Sequence, residues 1–137
     1  MVPNSLKKIL LSPGLNLSTD TIKVMLLSSS LTPNPDTHEF IGDINANEVT
    51  GTGYTAGGVT LTSKAVTQDN TTDIGKFDAA DVSWTGTITA RYAAIYKDTG
   101  SAATSPIIQI IDFGSNQAST AGTFLIQWHA DGILKLT

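Results

Sequence analysis

Eight short runs of apolar or alternating residues, set apart by turn-forming pairs about every 8 to 12 residues, limit this chain to a few antiparallel β architectures. The runs are Ile22–Leu27, Val59–Thr67, Ile74–Asp78, Val82–Thr85, Ile88–Lys97, Ile107–Phe113, Thr123–His129 and Ile133–Leu136. Between them stand Asp69-Asn70, Asp98-Thr99-Gly100, Gly114-Ser115-Asn116 and Asp131-Gly132, all of which favour chain reversal. That spacing is the pattern of an antiparallel sandwich or barrel, not of βαβ units. The expected fold is mainly β: a single antiparallel β-sandwich or barrel of about eight strands with a short N-terminal helix.

Composition agrees. Thr occurs 20 times and Ser 12 times, against 2 Glu and 7 Lys, so β-favouring residues are abundant and good helix formers are scarce. The 137 residues suit one domain, read as an N-terminal arm or short helix over 1–20 and a β-sandwich domain over 21–137. In the arm, Leu6, Ile9 and Leu10 fall at helical spacing within Asn4–Leu11, with Asn4 as N-cap and Pro13-Gly14 as the stop. The apolar run after Lys7-Lys8 is too short for a secretory signal, so export is not expected. No run approaches the roughly 20 apolar residues of a membrane helix, so no membrane partner is expected. The absence of cysteine excludes disulfides and thiolate metal sites. Eight Lys+Arg against 12 Asp+Glu leave 8 − 12 = −4, the wrong sign for a phosphate-binding surface, so no nucleic-acid partner is expected either. Only 15% of residues are charged, which gives a neutral exterior of the kind found in interface cores as well as in bland β domains.

Side-chain alternation assigns faces. Ile22–Leu27 is apolar on both faces and must be buried on both. Ile88, Ala90, Tyr92, Ala94 and Tyr96 share one side of their strand, opposite Thr87, Thr89, Arg91 and Lys97; Phe124, Ile126 and Trp128 oppose Gln127 and His129. Ile108 and Ile110 on one face, with Ile107, Ile111 and Phe113 on the other, mark a central strand or a subunit interface. Ser28 to Asn47 is a long excursion with Pro33 and Pro35, anchored by Phe40, Ile41 and Ile44, with one helical turn expected at Glu39 to Ile44. The four glycines of Gly51 to Gly58 make that stretch irregular.

The candidate chemistry fails in its context. Gly51-Thr52-Gly53-Tyr54-Thr55-Ala56 has a dinucleotide-type glycine pattern, but a Thr/Val-rich strand follows where a helix is needed. Asp98-Thr99-Gly100-Ser101 resembles the loop of aspartic proteases, but Lys97 beside it favours a solvated, ionised carboxylate, and Asp-Thr-Gly ends many hairpins. His38 and His129 stand far apart in unlike settings, and Asp69, Asp73, Asp78 and Asp81 lack the spacing of a calcium loop. Trp84, Trp128, Tyr54, Tyr92 and Tyr96 could stack on sugar rings, but alternation turns Tyr92, Tyr96 and Trp128 toward the core. Sequence therefore assigns no catalytic, cofactor or metal residues and no cofactor.

A series of blocks carries a resemblance: Asp20 to Leu27, Thr32 to Phe40, Glu48 to Gly58, Phe77-Asp78 with Val82-Ser83-Trp84, Ile88 to Gly100, Ile111 to Gly114, and Phe124 to Trp128. In these blocks the chain resembles a family of small virion structural proteins of tailed bacteriophages, over residues 20 to 137. The resemblance implies a non-enzymatic virion protein. Its expected role is a capsid decoration (cement) protein on the outer capsid surface, bridging major capsid proteins as a homo-oligomer, most simply a trimer. A head-tail connector or tail structural protein is the alternative, set second because such rings carry a long hairpin or a helix bundle that the sequence does not announce. A carbohydrate-binding module or an aspartic protease-like enzyme ranks lower. The segments able to reach a neighbour are the arm, the Pro-rich excursion and the Gly-rich loop, so the candidate subunit or capsid interface comprises Leu6, Ile9, Leu10, Pro33, Pro35, Phe40, Ile41 and Tyr54. The doubly apolar strands Ile22–Leu27 and Ile107–Phe113 are expected to offer one further face to another subunit.

Overall fold

In the computed structural model, which describes all 137 residues, the chain runs in order through α1 (Asn4–Leu10), β1 (Ile22–Leu27), β2 (Val59–Thr60), β3 (Ala65–Asp69), β4 (Ile74–Asp78), β5 (Val82–Lys97), β6 (Ile107–Ile126) and β7 (Leu134–Leu136). Its arrangement follows from what β1 requires. Ile22, Val24, Met25, Leu26 and Leu27 are all buried, and they alternate between the two faces of the strand. Each contributes about 2 kcal/mol only if its own face is covered, so β1 needs a layer on both sides.

β1 lies inside a four-stranded antiparallel sheet of order β2-β1-β5-β6, in register with β5 from Ile22 opposite Lys97 to Leu27 opposite Tyr92. On one side, Ile22, Val24 and Leu26 share a core with Phe77, Ile133 and Leu134, carried on or beside a second antiparallel sheet of order β3-β4-β7. On the other side, Met25 and Leu27 pack with Leu31, Ile41 and Ile44 of the excursion between β1 and β2. That excursion is a third layer, held by two 3-10 turns, Ile41–Asp43 and Asn45–Asn47, where the Asp43 carboxylate accepts the N–H groups of Glu39 and Phe40 at 2.9 and 2.8 Å. Both sheets keep free edges, so the sandwich does not close into a barrel.

Several strands differ from their expected bounds. Val59–Thr67 is divided, because the chain changes sheets within it. Leu61 still donates its N–H to the Ile22 carbonyl at 2.8 Å, Ser63 turns at φ 53°, and Ala65 then pairs with Asp78 in the other sheet. Conversely, the two runs Val82–Thr85 and Ile88–Lys97 are one strand, and Ile107–Phe113 continues into the next run as β6. Gly114-Ser115-Asn116 is therefore a bulge where a hairpin turn was expected. Pairing jumps from Tyr92 opposite Asp112 to Ala90 opposite Gln117, and Gly114 takes φ 84°. A second bulge lies between the pairs Ile88 with Ser119 and Gly86 with Gly122, with Ala121 at φ 46°.

The first bulge also changes the facing of β5. Ile88 and Ala90 point into the sandwich core, but beyond Arg91 that side passes to Ala93 and Ile95, while Tyr92, Ala94 and Tyr96 meet the third layer. A further register shift, between the pairs Ile95 with Gln109 and Tyr96 with Ile107, turns Ile107 and Ile110 to the third layer and Ile108 to the sandwich core, correcting the sequence assignment. The chain's own layers cover both faces of β1 and the side chains of Ile107, Ile108 and Ile110, whereas Ile111 and Phe113 keep part of their surface open. In the arm, α1 begins as expected, but Pro3 occupies the N-cap, and the Asn4 amide instead donates to the Asp36 carboxylate at 2.6 Å.

Close approach of loop to sheet predicts one sharp contrast. Gly58 sits at φ 75°, where a Cβ would overlap the Val24 carbonyl, whereas nothing lies near a Cβ built at Gly75. Gly58→Ala is expected to destabilise by about 3 kcal/mol or more in urea unfolding, and Gly75→Ala by no more than about 0.5 kcal/mol.

Candidate functional site

The N-terminal arm and the Pro-rich excursion meet at one end of the domain and form a lip. The Asn4 N–H donates to the Pro35 carbonyl at 2.9 Å, the Ile41 N–H to Ser105 at 2.9 Å, and the Ile107 N–H to Glu39 at 3.0 Å. Phe40 forms a bridge to Pro106, and a crevice of about 260 Å³ opens beside them between Lys8, Ile9, Phe40 and Lys97. Lys97 anchors the returning arm by bonding the Gly14 carbonyl and pairing with Asp20, both at 3.0 Å. Lys64 bonds the Asp20 carbonyl from the other side.

Of the expected interface residues, Ile9, Pro33, Pro35 and Phe40 lie on or near this lip with part of their surface open, and Leu10 is half-buried against the core. Leu6 and Ile41 offer no surface. They are 1% and 3% exposed and belong to the chain's own two cores, because the stripe of α1 and the 3-10 turn point inward. The residue that sequence reasoning missed is Leu11, 91% exposed at the C-cap of α1. Its signal was present: Leu11 is an apolar residue outside the stripe that Leu6 and Leu10 define.

Tyr54 lies elsewhere and serves the Gly-rich loop. Its hydroxyl donates to Glu48 Oε1 at 2.7 Å and accepts the Leu26 N–H at 3.0 Å. The same carboxylate oxygen takes the Gly57 N–H at 2.6 Å, while the Tyr96 hydroxyl donates to the Gly57 carbonyl at 2.7 Å. Burial, reinforced by the Glu48 carboxylate, pushes the Tyr54 phenol far above its ordinary value. Burial and the charges of Asp98 and Glu48 push Tyr96 up to about 12. Both phenols therefore stay protonated and act as donors, fastening the loop to β1 and β5.

The chemical candidates have structural employment. Asp98 accepts the Gly100 N–H at 2.9 Å and stands 3.5 Å from the Lys23 ammonium. His38 and His129 each accept a backbone N–H through Nδ1 within a turn, at 3.1 Å in both cases. Asp69 caps Thr71 and Thr72, Asp78 caps Ala79, and Asp81 accepts the N–H of Trp128. Gly51 to Gly53 lie against Thr85 to Ile88 of β5, where the Thr87 N–H bonds the Thr52 carbonyl, so this loop lines the sheet and opens no helix. No protein-family model, curated protein or solved structure matches the chain.

Two measurements check this geometry. Tyr54→Phe strips an N–H and a carboxylate of one partner at a half-buried site and is expected to lower stability by about 2 kcal/mol, with faster hydrogen exchange in Gly51 to Gly58. Burial raises the Asp20 carboxyl, but the Asn16 N–H, Lys97 and Lys64 outweigh it and hold the group below its ordinary value. Its contribution is then complete above an unfolded value of about 3.9 and fades as pH falls through the lower folded value. Urea unfolding between about pH 5 and pH 2.5 is expected to show a shallower acid limb in Asp20→Asn than in the parent.

Proposed function

We propose that this chain is a structural protein of a tailed-phage virion, bound to the outer face of the capsid as a decoration protein. The observation that carries this reading is the lip. Two of the three segments expected to reach a neighbour, the arm and the Pro-rich excursion, converge at one end of the domain, fixed by backbone hydrogen bonds, and leave Leu11, Pro35 and part of Phe40 exposed. The resemblance of residues 20 to 137 to small phage virion proteins supports it, as does the low charge of the chain. The partner would be the major capsid protein. Several copies, most simply three around a three-fold junction, would add weak contacts through effective concentration. Since both faces of β1 are covered from within, such an oligomer would meet through the lip or the exposed strand β3.

A head-tail or tail role is the second reading, because β5 and β6 do form a long hairpin of 16 and 20 residues. Against it, Val82, Trp84, Ile88 and Ala90 of that hairpin are buried in the chain's own core, with Phe124 and Ile126 opposite, so it is no free arm.

The test is cryo-electron microscopy of the virion combined with two lip variants. Density on the outer capsid is expected, and Leu11→Ser or Phe40→Ser is expected to weaken rebinding to stripped particles about tenfold with unfolding midpoints near the parent. Density in the tail, or rebinding indifferent to both substitutions, overturns the decoration reading.

A further inference from the structure

A groove of about 820 Å³ runs along β6, the edge strand of the larger sheet, and is closed at its far side by the segment from Trp128 to Ile133. It is separate from the lip. None of its lining residues is Asp, Glu, Lys or Arg, although the chain as a whole carries −4. From Phe113 through Ala130 the sequence has no such residue at all. The one ionisable side chain of the lining is His129, whose Nδ1 is taken up by the Asp131 N–H at 3.1 Å, so a charged ligand would find no carboxylate, ammonium or guanidinium to pair with and a neutral occupant is favoured.

The lining is nonetheless polar in one particular way. Gln109, Gln117 and Gln127 present amides, each able to donate and accept, beside the rings of Phe113, Phe124 and Trp128. The side-chain amide oxygen Oε1 of Gln109, one of the lining residues, is buried and has no hydrogen-bond partner within the chain. Trp128 is fixed in advance: its backbone N–H bonds Asp81 at 3.0 Å and its indole N–H bonds the Ala80 carbonyl at 2.9 Å. Rigid rings next to amides, in a groove of small-ligand size, match a molecule with C–H faces and hydroxyls that both donate and accept. An added β-strand fits less well. The bulges at Phe113 to Asn116 and at Thr120-Ala121 break the ladder that such a strand would follow.

We infer that the groove between β6 and Trp128 binds a neutral oligosaccharide, with Trp128 and Phe113 stacking on sugar rings and Gln109 and Gln127 bonding hydroxyls. The sequence-level platform of five aromatics is replaced by one that retains only Trp128, since Trp84 is buried in the core, Tyr54 and Tyr96 fasten the Gly-rich loop, and Tyr92 packs against the third layer. The site stands independently of the capsid reading.

The experiment is a titration of the isotope-labelled full chain, followed by amide and indole chemical shifts, with hexasaccharides of β-1,4-glucose, α-1,4-glucose, β-1,4-mannose and β-1,4-N-acetylglucosamine up to about 10 mM. Saturable shifts are expected with at least one of them, confined to β6 and the Trp128 indole. Trp128→Ala is expected to weaken that binding about tenfold. Two gentler variants guard against misfolding: Gln127→Ala, at an exposed position, weakens binding about threefold with an unchanged melting temperature. Gln109→Met weakens it too while holding or raising the melting temperature, because it removes a buried unpaired acceptor. No groove shifts with any of the four sugars, shifts that map elsewhere, or groove shifts that grow with protein concentration in the absence of sugar would each overturn the proposal, the last by showing self-association.

Discussion

Burial of β1 on both faces is the constraint from which the rest of the fold follows. A strand with five buried apolar side chains out of six cannot sit at the surface of a two-layer sandwich. The smaller sheet covers Ile22, Val24 and Leu26, and the chain has only one segment long enough to cover Met25 and Leu27, the excursion that follows β1. Its prolines and the Asp43 cap make it a fixed layer, with Leu31, Ile41 and Ile44 as the inward set. A segment that looks like a reaching arm in the sequence is thus held on its own domain, and only its rim is left to meet anything else.

The bulges of β6 show what local reading can and cannot recover. Gly114-Ser115-Asn116 carries the positive φ and the side-chain cap that a hairpin turn needs, since Gly114 lies at φ 84° with its N–H on Asp112. A bulge asks for the same chemistry. What separates the two is whether the chain leaves its partner strand, and that is decided by pairing with β5, far away in sequence. The facing of β5 was lost for the same reason: strict alternation through Arg91 presumes an unbroken ladder, and the bulge opposite Arg91 resets it. The division of Val59 to Asp69 between two sheets left no Gly or Pro in the sequence, only Ser63 in the left-handed region. The β class, the position of α1 and the two-faced burial of β1 were legible because each rests on composition or on periodicity within a few residues.

The candidate sites divide along the same line. The segments that make the lip could be named from sequence, but which of their apolar residues look outward could not: Leu6 and Ile41 are core, and Leu11 is bare. The Glu48, Tyr54 and Tyr96 network was hidden because it joins a carboxylate to phenols through a loop whose path depends on glycines approaching β1 and β5. The groove was half visible. Its charge-free stretch can be read directly, but a hairpin turn placed at Gly114 would have carried Phe113 and Phe124 apart, whereas the bulge leaves their rings 6.1 Å from each other.

A free edge of this length raises the problem of unwanted pairing, which proteins often meet by placing lysine or another charge on the strand. β6 has no Asp, Glu, Lys or Arg beyond Asp112, so its protection has to be geometric. Met1 bridges to Ile110 through its amino group and its carbonyl and occupies the start of the edge. From there two bulges interrupt the ladder, and Gly114 and Ala121 hold the backbone at positive φ, so that no long run of edge N–H and C=O groups stays in register for a second strand. This solution has a chemical consequence that charged protection would not share. It disfavours the addition of a strand while leaving the surface beside the edge rich in amides and free of carboxylate and ammonium groups, the surface on which the proposed oligosaccharide site rests.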